Sequence, residues 1–302
     1  VLLVNGLSVG AGNGLVAGMK SNIAPGAAGV RGRPVPEGPE IRRAADRIAK
    51  VLVGRSIEQA CFSFPELQPF EKRLEGSVVK AIDTRGKAML THFDNELTLY
   101  SHNQLYGRWF TAKRGEFPDT RRSLRVALHT SSHSALLYSA SDISVLTPAQ
   151  IQSHPFLSRL GPDVLDEGLD MDTIAGRLDQ PRFRRRSLAA LYLDQSFLAG
   201  LGNYLRSEIL YAAGLHPSRR PVDIDAEGKR RLARETTRMC RRSYRTGGKT
   251  LTPGPGRKRA GRFWVFARAS KPCFACGAGI QRENFSGRRL YFCPGCQAQE
   301  RS

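Results

Sequence analysis

The sequence has no apolar run approaching the roughly 18 residues of a membrane span, which excludes a helical membrane protein. It has no internal repeat, so stacked-repeat architectures are excluded too. Acidic residues are scarce beside basic ones: 27 Asp and Glu face 47 Lys and Arg, for a net charge of +20 and a pI near 10.4. That imbalance points to a polyanionic partner. Because the cations are mostly arginine, whose fork matches phosphate, nucleic acid leads. A membrane surface is the runner-up, but no long basic amphipathic helix is evident to support it. Residues 1–34 lack acidic residues and the basic n-region of a secretory signal, and eight of the 30 glycines break their apolar stretch.

Cysteine is also sparse. Of six, Cys61 and Cys240 stand alone, and the other four form Cys273-x2-Cys276 and Cys293-x2-Cys296 with sixteen residues between the pairs. That spacing fits a structural Zn²⁺ site; disulfides are the alternative, but nothing marks the chain as secreted, and a reducing cytoplasm is the expected compartment. With 302 residues and 40% hydrophobic content, the chain is long enough to bury one large core or two to three small ones.

Residues 1–34 differ from the rest. The fragment GAGNG near residue 10 lacks the flanking strand and helix of a phosphate loop, so a disordered leader or non-native sequence is expected for 1–35. Discounting its three cations leaves +17 on the remainder. Next, Ile41, Ala44, Ala45, Ile48, Val51 and Leu52 repeat at helical spacing, with Pro39 in the first turn and Gly54 as a stop. MLTHF (89–93) and ELTLYSH (96–102) flank an Asp94-Asn95 turn, and SLRVALH (123–129) and SALLYSA (134–140) flank another. An antiparallel sheet assembly with a helix packed on it follows. From about Thr147 the pattern turns helical: TPAQIQSHPFLSRL, MDTIAGRL, RSLAALYLDQSFLA and NYLRSEILYAAGL. GPDVLD (161–166) reads as a linker and residues 246–262 as an exposed basic loop. The expected class is α+β and multidomain.

Three features invite an anionic partner. RFRRR (182–186) precedes an apolar helix, though such a run is most often a solvated face. Leu198-Ala-Gly-Leu-Gly-Asn203 is a glycine turn in which Asn203 is a good N-cap, aiming backbone amides at a phosphate; on the glycines alone a plain helix–helix turn explains it better. The cysteine module carries Arg282, Arg288 and Arg289 between its pairs.

Together, PEGPEI (36–41), GKAMLTHF (86–93), LTLYSHNQLYG (97–107), LDQSFLAGLGNYLRSEIL (193–210) and FCPGC (292–296) closely resemble the bacterial formamidopyrimidine-DNA glycosylase and endonuclease VIII family. QLYG and GLGNYLR look like its endonuclease VIII branch, which acts on oxidised pyrimidines. The resemblance covers nearly everything from residue 36 onward and none of 1–35. It implies a β-sandwich with flanking helices (36–160), a linker (161–166), a helix–two-turn–helix domain (167–262) and a zinc hairpin (263–302). It implies a monomeric bifunctional glycosylase and abasic-site lyase whose partner is damaged double-stranded DNA. By the same resemblance, Pro36 would be the nucleophile, Glu37 the general acid/base, Glu40 its support, and Lys87 a phosphate-binding group assisting catalysis. Gln104, Leu105 and Tyr106 would fill the gap left by an extruded base. Asn203 and Arg288 would grip flanking phosphates, and Cys273, Cys276, Cys293 and Cys296 would hold one structural Zn²⁺.

The chemistry sets a condition. A proline nitrogen forms an imine only as a chain terminus; inside the chain it is an amide with no available lone pair. A terminal α-amine titrates near 7.7–8.0, and the positive end of the helix beginning near Pro39 should lower that and keep Glu37 ionised. Either a protease cuts before Pro36 or translation starts at Val35 with the initiator residue then removed, and the second is expected. Two alternatives stay open: a catalytically silent binder of distorted DNA, and a guanine-preferring enzyme of the same family.

Overall fold

A computed structural model describes residues 35–252 and 261–298; the leader and its GAGNG fragment lie outside them, as does the middle of the 246–262 loop. The first helix, α1 (Gly38–Leu52), buries Ile41, Ala44, Ala45, Ile48 and Leu52 along one stripe. Pro39 sits in its first turn, where a missing N–H costs nothing.

After β1 (Gln59–Phe62) and the one-turn α2 (Glu71–Leu74) come β2 (Val79–Arg85), β3 (Ala88–Phe93), β4 (Thr98–His102), β5 (Arg108–Lys113), β6 (Leu124–His129), β7 (His133–Tyr138) and β8 (Asp142–Leu146). They form two four-stranded antiparallel sheets, ordered β1-β6-β7-β5 and β2-β3-β4-β8. The hairpins read from the 89–102 and 123–140 stretches are β3–β4 and β6–β7. Alternation along β3 explains why both its faces are apolar. Met89 and Phe93 enter a core shared by both sheets and α1, whereas Ala88 and Leu90 pack on the opposite face with Tyr100, Leu146 and Leu157.

The second half is helical: α3 (Pro148–Gln152), α4 (Met171–Asp179), α5 (Leu188–Leu191), α6 (Asn203–Ala212) and α7 (Ala226–Thr246). Two helices read from the sequence are much shorter than their apolar stretches. In residues 187–199 only α5 is helical, because the chain turns back through Asp194–Ser196, where the Ser196 amide donates to Asp194 Oδ1. Conversely, the longest helix, α7, is one the sequence pattern did not reveal. It is long, basic and amphipathic, which corrects the expectation that no such helix exists; its apolar face is buried against α4 and α6.

The C-terminal hairpin of β9 (Gln281–Phe285) and β10 (Arg288–Phe292) closes through Ser286 and Gly287, both at positive φ, the two-residue turn whose twist suits a hairpin. Leu290 and Phe292 drive it into the helical core beside α6.

Several polar contacts join the halves. Arg43 on α1 donates to the Tyr244 and Arg245 carbonyls in the last turn of α7, at 2.8 and 3.0 Å. Those carbonyls have no intrahelical partner and sit at the negative end of the helix dipole, so a guanidinium is well placed there. Tyr244 returns a bond to Asp46 at 2.6 Å. Asp163, within the segment read as a linker, accepts from the Gly86 amide at 2.7 Å and so pins residues 161–166 to the β2–β3 turn that carries Lys87.

Candidate active site

The site forms where the start of α1 meets the start of α6. Glu37 is the N-cap of α1, yet its carboxylate turns to the other helix: Oε1 accepts from the Tyr204 amide at 2.8 Å and Oε2 from the Leu205 amide at 3.3 Å. Those are first-turn donors of α6 with no intrahelical acceptor. Glu40 reaches back to the Glu37 amide at 3.0 Å, as the third helical residue does in a capping box, and also accepts from the Tyr204 hydroxyl at 2.7 Å. That hydroxyl meets Ser243 of α7 at 2.6 Å, so three helices converge on two carboxylates.

Gly202 is what lets Glu37 in. A Cβ there would lie 2.5 Å from the Glu37 carboxyl carbon. The glycine pattern that alone could have been a plain turn is thus required by close approach.

Burial, with Glu40 adding to it, raises the Glu37 carboxyl to about 7 against the opposing pull of Lys87 and the α6 amides. This corrects the expectation that α1's dipole keeps Glu37 ionised: burial outweighs every favourable contact. Glu40 is raised as well, chiefly by burial. Lys87, half-buried in the turn after β2, is pulled below the ordinary amine range by burial and by Arg288, while Glu37 and Glu40 oppose that. Arg288 opens β10 directly after the hairpin turn, and its charge is felt by both Lys87 and Arg206, so the hairpin tip lies near them.

Asn203 differs from expectation. Gly202 is the cap, and Asn203 is the first helical residue, its side-chain oxygen accepting from Arg206 at 2.6 Å. Arg206 is fully buried and also donates to the carbonyls of Ala189, at 2.8 Å, and Arg289, at 3.4 Å. It therefore fixes Asn203 and the hairpin together. Sequence reasoning passed over it because an arginine on a basic protein reads as surface.

Gln104, Leu105 and Tyr106 stand on the loop between β4 and β5, with Leu105 59% and Tyr106 67% exposed. The loop is held tight by the Gly107 amide on the Asn103 carbonyl at 2.7 Å, and a Cβ on Gly107 would strike Asn103 at 2.6 Å. Arg122 donates to the Tyr106 carbonyl, and Ser141 to Gln104 Oε1 at 3.0 Å. Exposed apolar side chains on a braced loop suit insertion into something. In RFRRR, Phe183 drops into the helical core while Arg184 and Arg185 remain exposed.

The sulfur atoms of Cys273, Cys276, Cys293 and Cys296 all lie within 4.8 Å of one another. The Ala275 and Cys296 amides point at the Cys273 and Cys293 sulfurs, each at 3.4 Å, as they would to stabilise thiolates. Four convergent sulfurs with amide support fit a tetrahedral Zn²⁺. Cys61 and Cys240 are not part of this cluster.

Replacing Gly202 by alanine is expected to push the Glu37 carboxyl off the α6 amides. With Glu37 in the catalytic role that the family resemblance implies, activity should fall on the order of 100-fold while circular dichroism still reports a folded chain. Wild-type turnover by G202A would overturn the geometry above.

Two family models match. The formamidopyrimidine-DNA glycosylase N-terminal domain covers residues 35–141, and the H2TH domain of the same enzymes covers residues 160–253. Endonuclease 8 of Escherichia coli strain K12 / DH10B is 50% identical over 263 residues, 87% of this chain and 100% of that protein. Endonuclease 8 of Escherichia coli O6:K15:H31 is 49% identical over the same span. Among solved structures, the Lactococcus lactis Fpg in complex with DNA containing an abasic site superposes with a TM-score of 0.73 at 22% identity, covering 87% of this chain and all of that one. The fold, the two matched domains and full-length identity to Endonuclease 8 place this chain in the formamidopyrimidine-DNA glycosylase family, on its endonuclease VIII branch.

Proposed function

We propose that the protein is a bifunctional DNA glycosylase and abasic-site lyase of base excision repair that removes oxidised pyrimidines from duplex DNA. The observation that carries this reading is the pair of buried Glu37 and half-buried Glu40, shared between α1 and the first turn of α6, with Glu37 directly after Pro36.

In its working form the chain begins at Pro36, and residues 1–35 are absent. The freed amine attacks C1′ of the damaged nucleotide, the base leaves, and an imine forms. Glu37, poised near neutrality, gives a proton to the sugar ring oxygen as it opens and takes protons in the later steps. Loss of the C2′ proton then breaks the 3′ phosphate bond, and a second elimination breaks the 5′ one. Lys87 and Arg288 bring positive charge to the lesion phosphates, and Arg206 presents Asn203 to a neighbouring one. Extruding the base costs on the order of a few kcal/mol, and Gln104, Leu105 and Tyr106 offset this by filling the void. Residues 36–160, 161–166, 167–262 and 263–302 act as sandwich, connector, helical domain and hairpin. The four cysteines would hold a Zn²⁺ whose contribution is purely structural, keeping Arg288 in place.

The deciding measurement is borohydride trapping on an abasic-site duplex, with each N-terminus checked by intact mass. The chain starting at Pro36 should cross-link and the uncut 302-residue chain should not. Equal cross-linking by the uncut chain would make a lysine the nucleophile. Failure of both would favour a silent DNA binder. Stronger excision from oxidised-guanine than from thymine-glycol duplexes would move the enzyme to the other branch.

The carboxyl near 7 also sets a pH dependence. Burial favours a protonated Glu37, so single-turnover excision should decline as pH rises and Glu37 ionises, and E37Q should lack that limb. The free Pro36 amine, which the uncut chain does not have, adds a positive charge beside Glu37 that places the limb below about 7. The sign for stability is the reverse of the usual carboxylate case. The ionised form burdens the fold above pH 7, and the burden fades as pH falls towards 4.5.

Stripping metal with a chelator, or Cys293→Ser, should abolish lesion binding while the sandwich stays folded. Undiminished excision without metal would contradict a structural role for the module.

A further inference from the structure

Helix α7 carries eight cationic side chains against two carboxylates in 21 residues. Five of them, Arg230, Arg234, Arg238, Arg241 and Arg245, follow one another at spacings of four, four, three and four, and all five are exposed. At 3.6 residues per turn they fall within an arc of about 80° and extend over about 22 Å of helix. The buried residues Leu232, Thr236, Met239 and Ser243 occupy the opposite side. Since Ser243 is the one that meets Tyr204 and approaches Glu40, the ladder points away from the catalytic carboxylates. The phosphate grips assigned to the lesion do not use it.

The ladder is poorly neutralised from within. Arg230 pairs with Glu227 at 3.3 Å, and Arg238 and Arg234 share Glu235 at 2.6 and 3.8 Å. Among the described residues no carboxylate pairs with Arg241 or Arg245. Burial lowers Arg242 on the same helix, and the neighbouring charges of Arg238 and Arg245 add to it. Keeping such a row costs stability unless something anionic relieves it.

We infer that the outer face of α7 is a second binding surface for duplex DNA, which lets the protein hold one DNA segment there while another occupies the catalytic cleft. Charge and spacing select this partner. A protein interface needs an apolar centre, and none of the exposed large hydrophobic side chains lies on α7. A membrane would need an apolar face to insert, and that of α7 is spent in the core. What remains is a linear array of guanidinium forks, which matches a run of phosphates along one strand, spaced about 3.4 Å along the duplex axis. The inference extends the proposed function and is separable from it, because it requires no chemistry at Pro36.

The test loads the full chain with a short duplex carrying a stable abasic-site analogue and then titrates a second, undamaged, fluorescently labelled duplex. The wild-type chain should bind both. The variant R230Q/R234Q/R241Q/R245Q leaves the Arg238–Glu235 pair intact, and it should keep the first duplex while losing the second. Its salt dependence for the second duplex should flatten by about 0.9 in log–log slope per lost phosphate contact. Should the quadruple variant not fold, Arg241→Glu alone should weaken second-duplex binding at least about tenfold, since it reverses a charge inside the row. A wild-type chain that takes only one duplex, or variants that bind the second undiminished, would overturn the inference. So would a ladder that prefers anionic vesicles or inorganic polyphosphate to duplex DNA. Failure to bind the first duplex would instead count against the proposed catalytic cleft, with the second-duplex arm still readable.

Discussion

The structure turns on one buried carboxylate. Glu37 belongs to the first helix by sequence and to the sixth by hydrogen bonding, accepting from the Tyr204 and Leu205 amides at a helix end that would otherwise present unsatisfied donors. Removing it from water is unfavourable, and two amides, a nearby lysine and the helix field do not fully repay that cost. The residual cost is what leaves the group near neutrality. A carboxylate that were merely comfortable would be too weak a base and, once ionised, unable to donate. The same contacts require a glycine at position 202 and bring Glu40, Tyr204 and Ser243 into one hydrogen-bonded set.

Around this centre the protein uses arginine in distinct ways. Arg43 closes the last turn of α7. Arg206 is wholly buried and works as an internal strut, tying α5, Asn203 and the hairpin into one unit. The exposed row on α7 does neither. The net charge of the chain therefore has several structural origins, and only some of it is available to an anion.

Much of this was legible in the sequence, for identifiable reasons. The hairpins at 89–102 and 123–140 announce themselves because strand periodicity and polar turns agree. The cysteine spacing specifies its cluster because four sulfurs at those intervals have few other uses. The apolar run at 186–199 overstates its helix, since such a run cannot by itself distinguish one helical turn and a bend from a longer helix. α7 was missed for the opposite reason: its arginines dilute the apolar stripe until hydropathy alone no longer shows it, although Asp225 and Gly247 mark its ends. The Glu37 carboxyl was misjudged because its burial arises from residues more than 160 positions away, which no local pattern contains. Residue type alone favours Asn203 as the cap, whereas Gly202 holds that place to admit Glu37.

The seam between α1 and α6 also bears on how the protein is made. Glu37 is among the first described residues to leave the ribosome, and its partners Tyr204 and Leu205 follow 167 and 168 positions later. Arg288, whose charge reaches Lys87 across the cleft, comes later still. During synthesis the sandwich strands can pair among themselves, since domains fold as units and the N-terminal one comes first. The nascent chain would then carry an acidic pair facing solvent, in its ordinary ionised state and without the proton that the finished cleft supplies. Maturation of the site is therefore a late event in translation, and a truncated product would hold the sandwich without its tuned carboxyl.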